Sequence, residues 1–282
     1  MRIIKSVKSM QKYSNRLKTE NKSVGFVPTM GYLHEGHLSL VRRSLKENDK
    51  TIVSVFINPT QFGPKEDLAR YPRDLKRDER MLRKIGADTV FYPTAKEMYP
   101  KPYRTYVNVD CLTDALCGRS RPGHFRGVTT VVAKLLNIVK PDVAYFGQKD
   151  AQQAIAIKKM ANDLNMNVGI KILPIVREPD GLAMSSRNSA LSPKERSYAT
   201  VLHKTLLLAK QMVGKGERSS AKVINKMRAL IRQEDASRID YISIVNPETL
   251  KPIKTIHGEA LIALAVYIGR TRLIDNLKLK VR

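Results

Sequence analysis

Two histidines three residues apart, His34 and His37, close the stretch Val27-Pro-Thr-Met-Gly-Tyr-Leu-His-Glu-Gly-His37, which follows an apolar run at 24–27. Imidazoles at i and i+3 share one face of a helical turn. A strand that passes through a Gly-containing loop into a helix start presents backbone N–H groups and a positive dipole end to an anion. The chemistry this points to is phosphate binding at a nucleotide site, with two imidazoles projecting toward the same anion. Without its surroundings, the same spacing fits a surface pair at a helix start equally well. Zinc is the weaker reading, because helical zinc sites use i, i+4 histidines joined by Cys or carboxylate ligands, and no such cluster accompanies these two.

Three further segments carry more polar residues than a structural loop needs. In Ile57-Asn-Pro-Thr-Gln-Phe-Gly63, Gln61 offers a donor and an acceptor to a hydroxyl or a carboxylate; a plain turn set by Asn58-Pro59 is the alternative. In Phe146-Gly-Gln-Lys-Asp-Ala-Gln-Gln153, Gly147 permits close backbone approach, Lys149 can meet phosphate, and Asp150 and Gln153 enter a helix, although Asp150 also reads as a simple cap. In the loop Arg177 to Asn188, Ser185 and Ser186 stand beside Arg187. Two hydroxyls next to a guanidinium suit a leaving pyrophosphate, and the same triplet occurs in many surface loops.

The elements that must position these loops alternate in type. β-Branched runs at 24–27, 51–57, 89–92, 143–146 and 168–176 predict buried strands, and patterns at 38–45, 74–85, 128–139 and 152–164 predict the crossover helices. This order predicts an α/β domain, a doubly wound parallel sheet of Rossmann-like type, over residues 1–176. In open sheets of this kind ligands bind at the carboxyl ends of the strands. After 176 the pattern changes to a smaller α+β domain, 177–282. The capping box Ser192-Pro-Lys-Glu195 opens a helix to about 213, ended by Gly-Lys-Gly at 214–216. A second helix from 219 or 220 to about 233 precedes strands at 241–245 and 261–268.

Composition narrows the class. The 282 residues, 42% hydrophobic and 27% charged, are those of a globular protein with a sizeable core. The longest apolar run, 260–268, is too short to span a bilayer, and Lys5 and Lys8 interrupt any signal-like core near the start. The expected location is the cytoplasm. Cys111 and Cys117 are too few for a disulfide framework and read as reduced core or loop residues. The net charge of +25 favours anionic small substrates. It is spread along the chain without a basic block or base-stacking aromatics, so no specific nucleic-acid partner is expected.

Taken together, these segments resemble the pantoate–β-alanine ligase (pantothenate synthetase) family of the nucleotidyltransferase superfamily. The resemblance rests on seven collinear motifs: 27–37, 58–62, 66–73, 121–127, 141–153, 180–188 and 272–276. It implies ATP-dependent condensation of (R)-pantoate with β-alanine through a pantoyl adenylate, releasing AMP and pyrophosphate. It implies ATP contacts at Met30, Gly31, Tyr32, Leu33, His34, Glu35, Gly36 and His37, at Gly147, Gln148, Lys149 and Asp150, and at Val176, Met184, Ser185, Ser186 and Arg187. Gln61 then contacts pantoate and β-alanine, Gln153 contacts pantoate, and His37 is the proton donor beside His34. Lys149 and Arg187 stabilise phosphate charge. Mg²⁺ with unnamed ligands, a homodimer, and a second domain that closes over the ATP site complete the expectation. Relative to the Lys-Met-Ser-Lys-Ser loop of class I synthetases, Ala183 precedes Met184 and Arg187 replaces the second lysine, so Arg187 alone supplies charge there. The basic motif 119–126 reads as structural or as lining the cleft; within it His124 reads as a hydrogen-bonded structural histidine, with a substrate contact as the alternative, and His203 and His257 read as surface or packing residues. A nucleotidyltransferase that keeps the nucleotide on its product and an RNA-binding protein are the competing readings.

Overall fold

The computed structural model describes residues 1–64 and 66–281. In chain order the elements are β1 (Arg2–Ile4), α1 (Val7–Thr19), β2 (Val24–Thr29), α2 (Glu35–Glu47), β3 (Lys50–Val55), α3 (Leu75–Ile85), β4 (Thr89–Phe91), α4 (Ala95–Met98), α5 (Cys117–Ser120), α6 (His124–Val139), β5 (Val143–Gly147), α7 (Ala151–Asp163), β6 (Gly169–Leu173), α8 (Pro193–Tyr198), α9 (Val201–Gly214), α10 (Ser220–Ile231), β7 (Ser237–Val245), β8 (Gly258–Ile268) and β9 (Thr271–Val281). They fall into two compact units. The first comprises Met1–Val109, Arg121–Gly147 and Ala156–Pro174; the second comprises Asp110–Ser120, Gln148–Ile155 and Ile175–Arg282.

The first unit is the expected α/β layer structure. Its six strands lie in the order β1-β4-β3-β2-β5-β6, and every neighbouring pair is parallel. The chain runs outward from β2 in one direction and returns to start β5 on its other flank, which opens a switch point beside the carboxyl end of β2. Val27, Val53, Val55, Val90 and Tyr145 of the sheet pack on Leu40 and Val41 of α2 and Leu82 of α3, so the loop after β2 starts from a fully buried base. β2 extends to Thr29, two residues past the expected end at Val27. β5 pairs with β2 only at Gly25 and Phe26, leaving one side of β2 unpaired beyond that point, where Pro28 is tolerated despite its missing N–H. The strand expected to reach Val176 stops at Leu173.

The second unit is a three-stranded antiparallel sheet, β7-β8-β9, with α9 and α10 packed against it through Leu202, Leu206, Val223, Met227, Ile262 and Leu264. β9 was not among the expected strands, because Asp275 and Asn276 sit buried in its middle and break the apolar alternation. The helix expected from 193 to 213 is two, α8 and α9. Residues Ala199 and Thr200 keep right-handed helical backbone, and the Thr200 hydroxyl donates to the Ser197 carbonyl at 2.8 Å, which competes with the helical ladder.

Candidate active site

In the first unit the two-histidine loop is held from below. The Thr29 hydroxyl at the end of β2 donates to the Ser54 carbonyl of β3 at 2.8 Å and accepts from the Gly31 N–H at 3.2 Å. The chain then turns through two left-handed residues, Gly31 at φ +84° and Tyr32 at φ +51°, a conformation costly for a side-chain-bearing residue such as Tyr32. The turn is fixed by a carboxylate 46 residues beyond Tyr32 in the chain. Asp78 of α3, 1% exposed, accepts from the N–H groups of Tyr32 and Leu33 at 2.8 Å each. Burial raises its pKa above the ordinary aspartate range, and the two amides pull it back only in part. Leu33 is fully buried beneath the loop, and His34 follows as the N-cap of α2 in extended backbone.

His37 lies in the first turn of α2. Its Nδ1 accepts from the His34 N–H at 3.3 Å, so in the neutral ring the proton sits on Nε2 and that nitrogen is a donor. The two imidazoles lie in contact, with centroids 4.0 Å apart and planes tilted by 36°. The expected pairing of the rings on one face is therefore present, at the positive end of a 13-residue helix.

Gln61 ends a single 3₁₀ turn, Pro59–Gln61, and is 7% exposed. Asn58 organises the turn: its Nδ2 donates to Gln61 Oε1 at 3.2 Å and to the Gly127 carbonyl at 3.0 Å, and its Oδ1 accepts from the Tyr99 hydroxyl at 2.8 Å. Gln61 Nε2 lies 2.9 Å from Met30 Sδ, a weak acceptor that a ligand oxygen would readily displace. The backbone of the turn rests directly on α6, where a Cβ at Gly127 would fall 2.6 Å from the Gln61 Cα. From the other side His124 Nδ1 donates to the Gln61 carbonyl at 2.7 Å, and its Nε2 accepts from Arg121 at 2.9 Å. Arg121 also donates through Nε to Glu66 at 2.8 Å and through Nη2 to the other carboxylate oxygen. Burial would raise the Glu66 pKa, but the Arg121 hydrogen bond and charge outweigh it and hold the carboxyl below its ordinary range. His124 is thus the structural histidine expected from the sequence, and its task is to seat Gln61.

Gly147 ends β5 in the first unit, and the second unit carries the other expected residues. Gln148, Lys149 and Asp150 form a 3₁₀ turn directly after β5 and before α7. Asn276 of β9 clamps it: its Nδ2 donates to the carbonyls of Gln148 and Lys149 at 2.9 Å, and its Oδ1 accepts from Gln148 Nε2 at 2.8 Å. Asn276 is placed by Asp275, which accepts from its backbone N–H at 2.8 Å and from both terminal nitrogens of Arg177 at 2.7 and 3.0 Å. The Lys149 ammonium lies 3.8 Å from Asp150. Two adjacent glutamines divide their labour. Gln152 is buried, donating to the carbonyls of Leu112 and Ala115 and accepting from the Cys117 N–H. Gln153, half buried, is the one whose side chain makes no hydrogen bond within the protein among the described residues.

Val176 and Met184 face each other across a short hairpin, the Met184 N–H donating to the Val176 carbonyl at 3.0 Å, with Arg177 bridged to Ala183. Ser185 then caps a 3₁₀ turn, Ser186–Ala190, its hydroxyl accepting from the Arg187 N–H at 3.3 Å. Sequence reasoning did not single out Asp78, Arg177 or Asn276 as organisers, while Asn58 sets the turn that is the alternative reading of its segment. A buried carboxylate such as Asp78 leaves no periodic signal, and where a motif does contain the residue, as with Asn276, only the fold shows which loop it holds.

A parallel sheet that hands a two-histidine loop to a helix N-terminus at its switch point is the frame of an α/β enzyme. Comparison with known proteins specifies it. The sequence profile of pantoate-beta-alanine ligase matches residues 2–278. A pantothenate synthetase of Caldicellulosiruptor saccharolyticus is 57% identical over 281 residues, covering all of both chains. The crystal structure of pantothenate synthetase from Thermus thermophilus superposes with a TM-score of 0.94 at 46% identity, covering 98% of this chain and 99% of that one. The pantoate-beta-alanine ligase of Francisella tularensis, solved with β,γ-ATP and β-alanine, superposes with a TM-score of 0.80 at 34% identity, covering 98% and 97%. The chain belongs to the pantoate–β-alanine ligase family.

Proposed function

We propose that this ligase condenses (R)-pantoate with β-alanine in two steps, using ATP to form pantoyl adenylate and releasing pyrophosphate and then AMP. The observation that carries this reading is the pairing of a phosphate-type loop at 30–37 with a rigidly seated glutamine, Gln61, in a chain whose relatives are ligases of this kind. A carboxylate resists attack by an amine at neutral pH. Transfer of AMP to it creates a mixed anhydride from which AMP departs readily.

In the first step a pantoate carboxylate oxygen attacks the α-phosphorus and the bond to the β-phosphate oxygen breaks. The His37 Nε2–H and the N–H groups of the α2 first turn receive charge on the α-phosphate, with His34 stacked beside. Lys149 and Arg187, with the hydroxyls of Ser185 and Ser186, take the charge of the departing pyrophosphate. In the second step the β-alanine nitrogen attacks the acyl carbon, the bond from that carbon to the AMP oxygen breaks, and the nitrogen loses a proton. Gln61 and Gln153 hold pantoate, and Gln61 also meets β-alanine. Positioning and electrostatic stabilisation supply most of the acceleration. Gly147, Gln148, Asp150, Val176 and Met184 belong to the proposed ATP contacts.

Among the described residues no group of three or more His, Cys, Asp or Glu side chains is placed to hold a metal ion. The proposed Mg²⁺ fits as an ion carried by the triphosphate and water, where it neutralises phosphate charge. A homodimer and a cytoplasmic location belong to the same reading, supported by the family resemblance; no described helix is long and apolar enough to cross a membrane.

With ATP and pantoate alone, stoichiometric pyrophosphate and an enzyme-bound adenylate are expected, and AMP appears in step with the amide once β-alanine is added. Release of ADP and phosphate would sink the adenylate route. Gln61→Ala is expected to raise the KM for pantoate by about one to two orders of magnitude, the scale for losing a buried polar partner. Its effect on the KM for ATP should be under about threefold. Steady-state kinetics with each substrate varied decides this, and an equal rise in both constants would remove Gln61 from its role.

A further inference from the structure

The second unit has a concavity of about 570 Å³ whose lining includes four arginines: Arg119 of α5, Arg228 and Arg232 at the end of α10, and Arg238 of β7. It lies along β7, whereas the Gln148–Asp150 turn is clamped by β9, the opposite edge of the same sheet. Two stretches distant in sequence, α5 and the segment from α10 to β7, thus bring guanidinium groups to one hollow. Arg228 and Arg232 stand at i, i+4, where like charges destabilise a helix.

The charge in this hollow is not cancelled by the protein. Asp240 is the lining carboxylate, and both its oxygens are taken: one accepts from Arg272 Nε and Nη2 at 3.0 and 2.7 Å, the other from the Ser120 hydroxyl at 2.9 Å. Glu234 and Asp235 lie in the turn between α10 and β7 and form no ion pair with these arginines. Arg238 covers the Tyr267 ring at 4.0 Å, and Arg228 makes only a 3.5 Å hydrogen bond to Asn225. The side chains of Arg119 and Arg232 make no hydrogen bond or ion pair among the described residues.

We propose that this four-arginine hollow is a second anion site, for a compact oligophosphate of two or more linked phosphoryl groups. Planar guanidinium forks match phosphate oxygens two at a time, and several convergent forks favour a multiply charged ligand over a single phosphate. Single-stranded nucleic acid fits poorly, since Tyr241 is buried with its hydroxyl 3.2 Å from Cys117 Sγ and the Tyr267 face is covered, leaving no ring for a base to stack on. The ligand is either a bare inorganic chain or the phosphate end of a nucleotide.

Calorimetric titration of the full chain with sodium tripolyphosphate, repeated at rising salt, tests the site. Wild type and Lys149→Ala should both show a salt-sensitive binding phase that R119S/R232S weakens by at least about tenfold, the scale for losing two charged donors. The double variant should keep its melting temperature and its adenylation kinetics, because neither arginine belongs to the proposed catalytic machinery. R119K/R232K should recover part of the affinity, as point charges without forks do. GTP binding the same site more tightly than tripolyphosphate would identify a nucleotide, and equal affinity a bare chain; either supports the site. Binding unchanged in R119S/R232S, binding abolished by Lys149→Ala, or monophosphate bound as tightly as tripolyphosphate would each overturn it.

Discussion

Replacing His37 with alanine is expected to lower the rate of adenylate formation by roughly two to four orders of magnitude, the range for losing a positioned proton donor. The fold should survive, because His37 is only half buried and its acceptance of the His34 N–H is a capping contact worth about 1 kcal/mol. Single-turnover measurement of pyrophosphate release, beside a thermal melt, separates the two effects. His37→Gln is the informative companion. It can still donate near the Nε2 position but cannot carry a proton, so a partial recovery identifies hydrogen bonding to the phosphate, and none identifies proton transfer. A variant that melts far below wild type would show that the ring holds the fold rather than the reaction.

Asp78→Asn carries the second large effect. The native carboxylate accepts two loop amides at once. Asparagine keeps one acceptor and turns an NH₂ group against the other amide, leaving a buried donor unsatisfied at a cost of about 1 to 3 kcal/mol. The loop through Gly31 and Tyr32 then loses the contact that holds it left-handed, and His34 and His37 lose their fixed approach. The expected result is a fall in kcat of about tenfold to a hundredfold, the scale for misplacing reacting groups by about an ångström, with a rise in the KM for ATP. The KM for pantoate should change less, since the Gln61 seat does not depend on Asp78.

The pH dependence of this residue runs opposite to that of a surface carboxylate. Burial raises the folded pKa of Asp78 above the ordinary value of 3.8, so its contribution to stability is greatest below that value and declines as pH rises through the folded pKa. Glu66 has the reverse sign. Its folded pKa is depressed by Arg121, and its contribution holds at neutral pH and is lost on acidification. Subtracting the denaturation curves of Asp78→Asn from those of wild type across the acid range isolates the first effect: the difference should fall with rising pH and level off toward neutrality. A difference that rises instead would mean that the two amides outweigh burial.

Much of this was legible in the residues themselves. The first unit announces its strands, all but the three-residue β1, as β-branched runs because both faces of a parallel sheet are covered, and the loops at 30–37, 57–63, 146–153 and 177–188 stand out as polar residues where chain economy does not require them. What stayed hidden was the support. Asp78 sits on a charged helix and looks like one more solvated carboxylate among Arg77, Glu79 and Arg80. Asp275 and Asn276 disguise β9 because buried polar residues break the alternation by which strands are read. The Gly127 contact depends on which turn comes to rest on α6, information held by the tertiary fold alone. Motifs expose groups that face a ligand, whereas the groups that aim them face other parts of the protein.

Gly127 also bears on how the acid substrate could be changed. With no side chain at position 127 to part α6 from the turn at 59–61, the position of Gln61, the proposed pantoate contact, is set in part by helix backbone. Altered preference for the acid must then come from exchanging side chains on an unmoving frame. A larger residue at 127 would shift the whole glutamine seat, together with its links to Asn58, Tyr99 and His124, and so would trade recognition for disorder rather than for a new specificity.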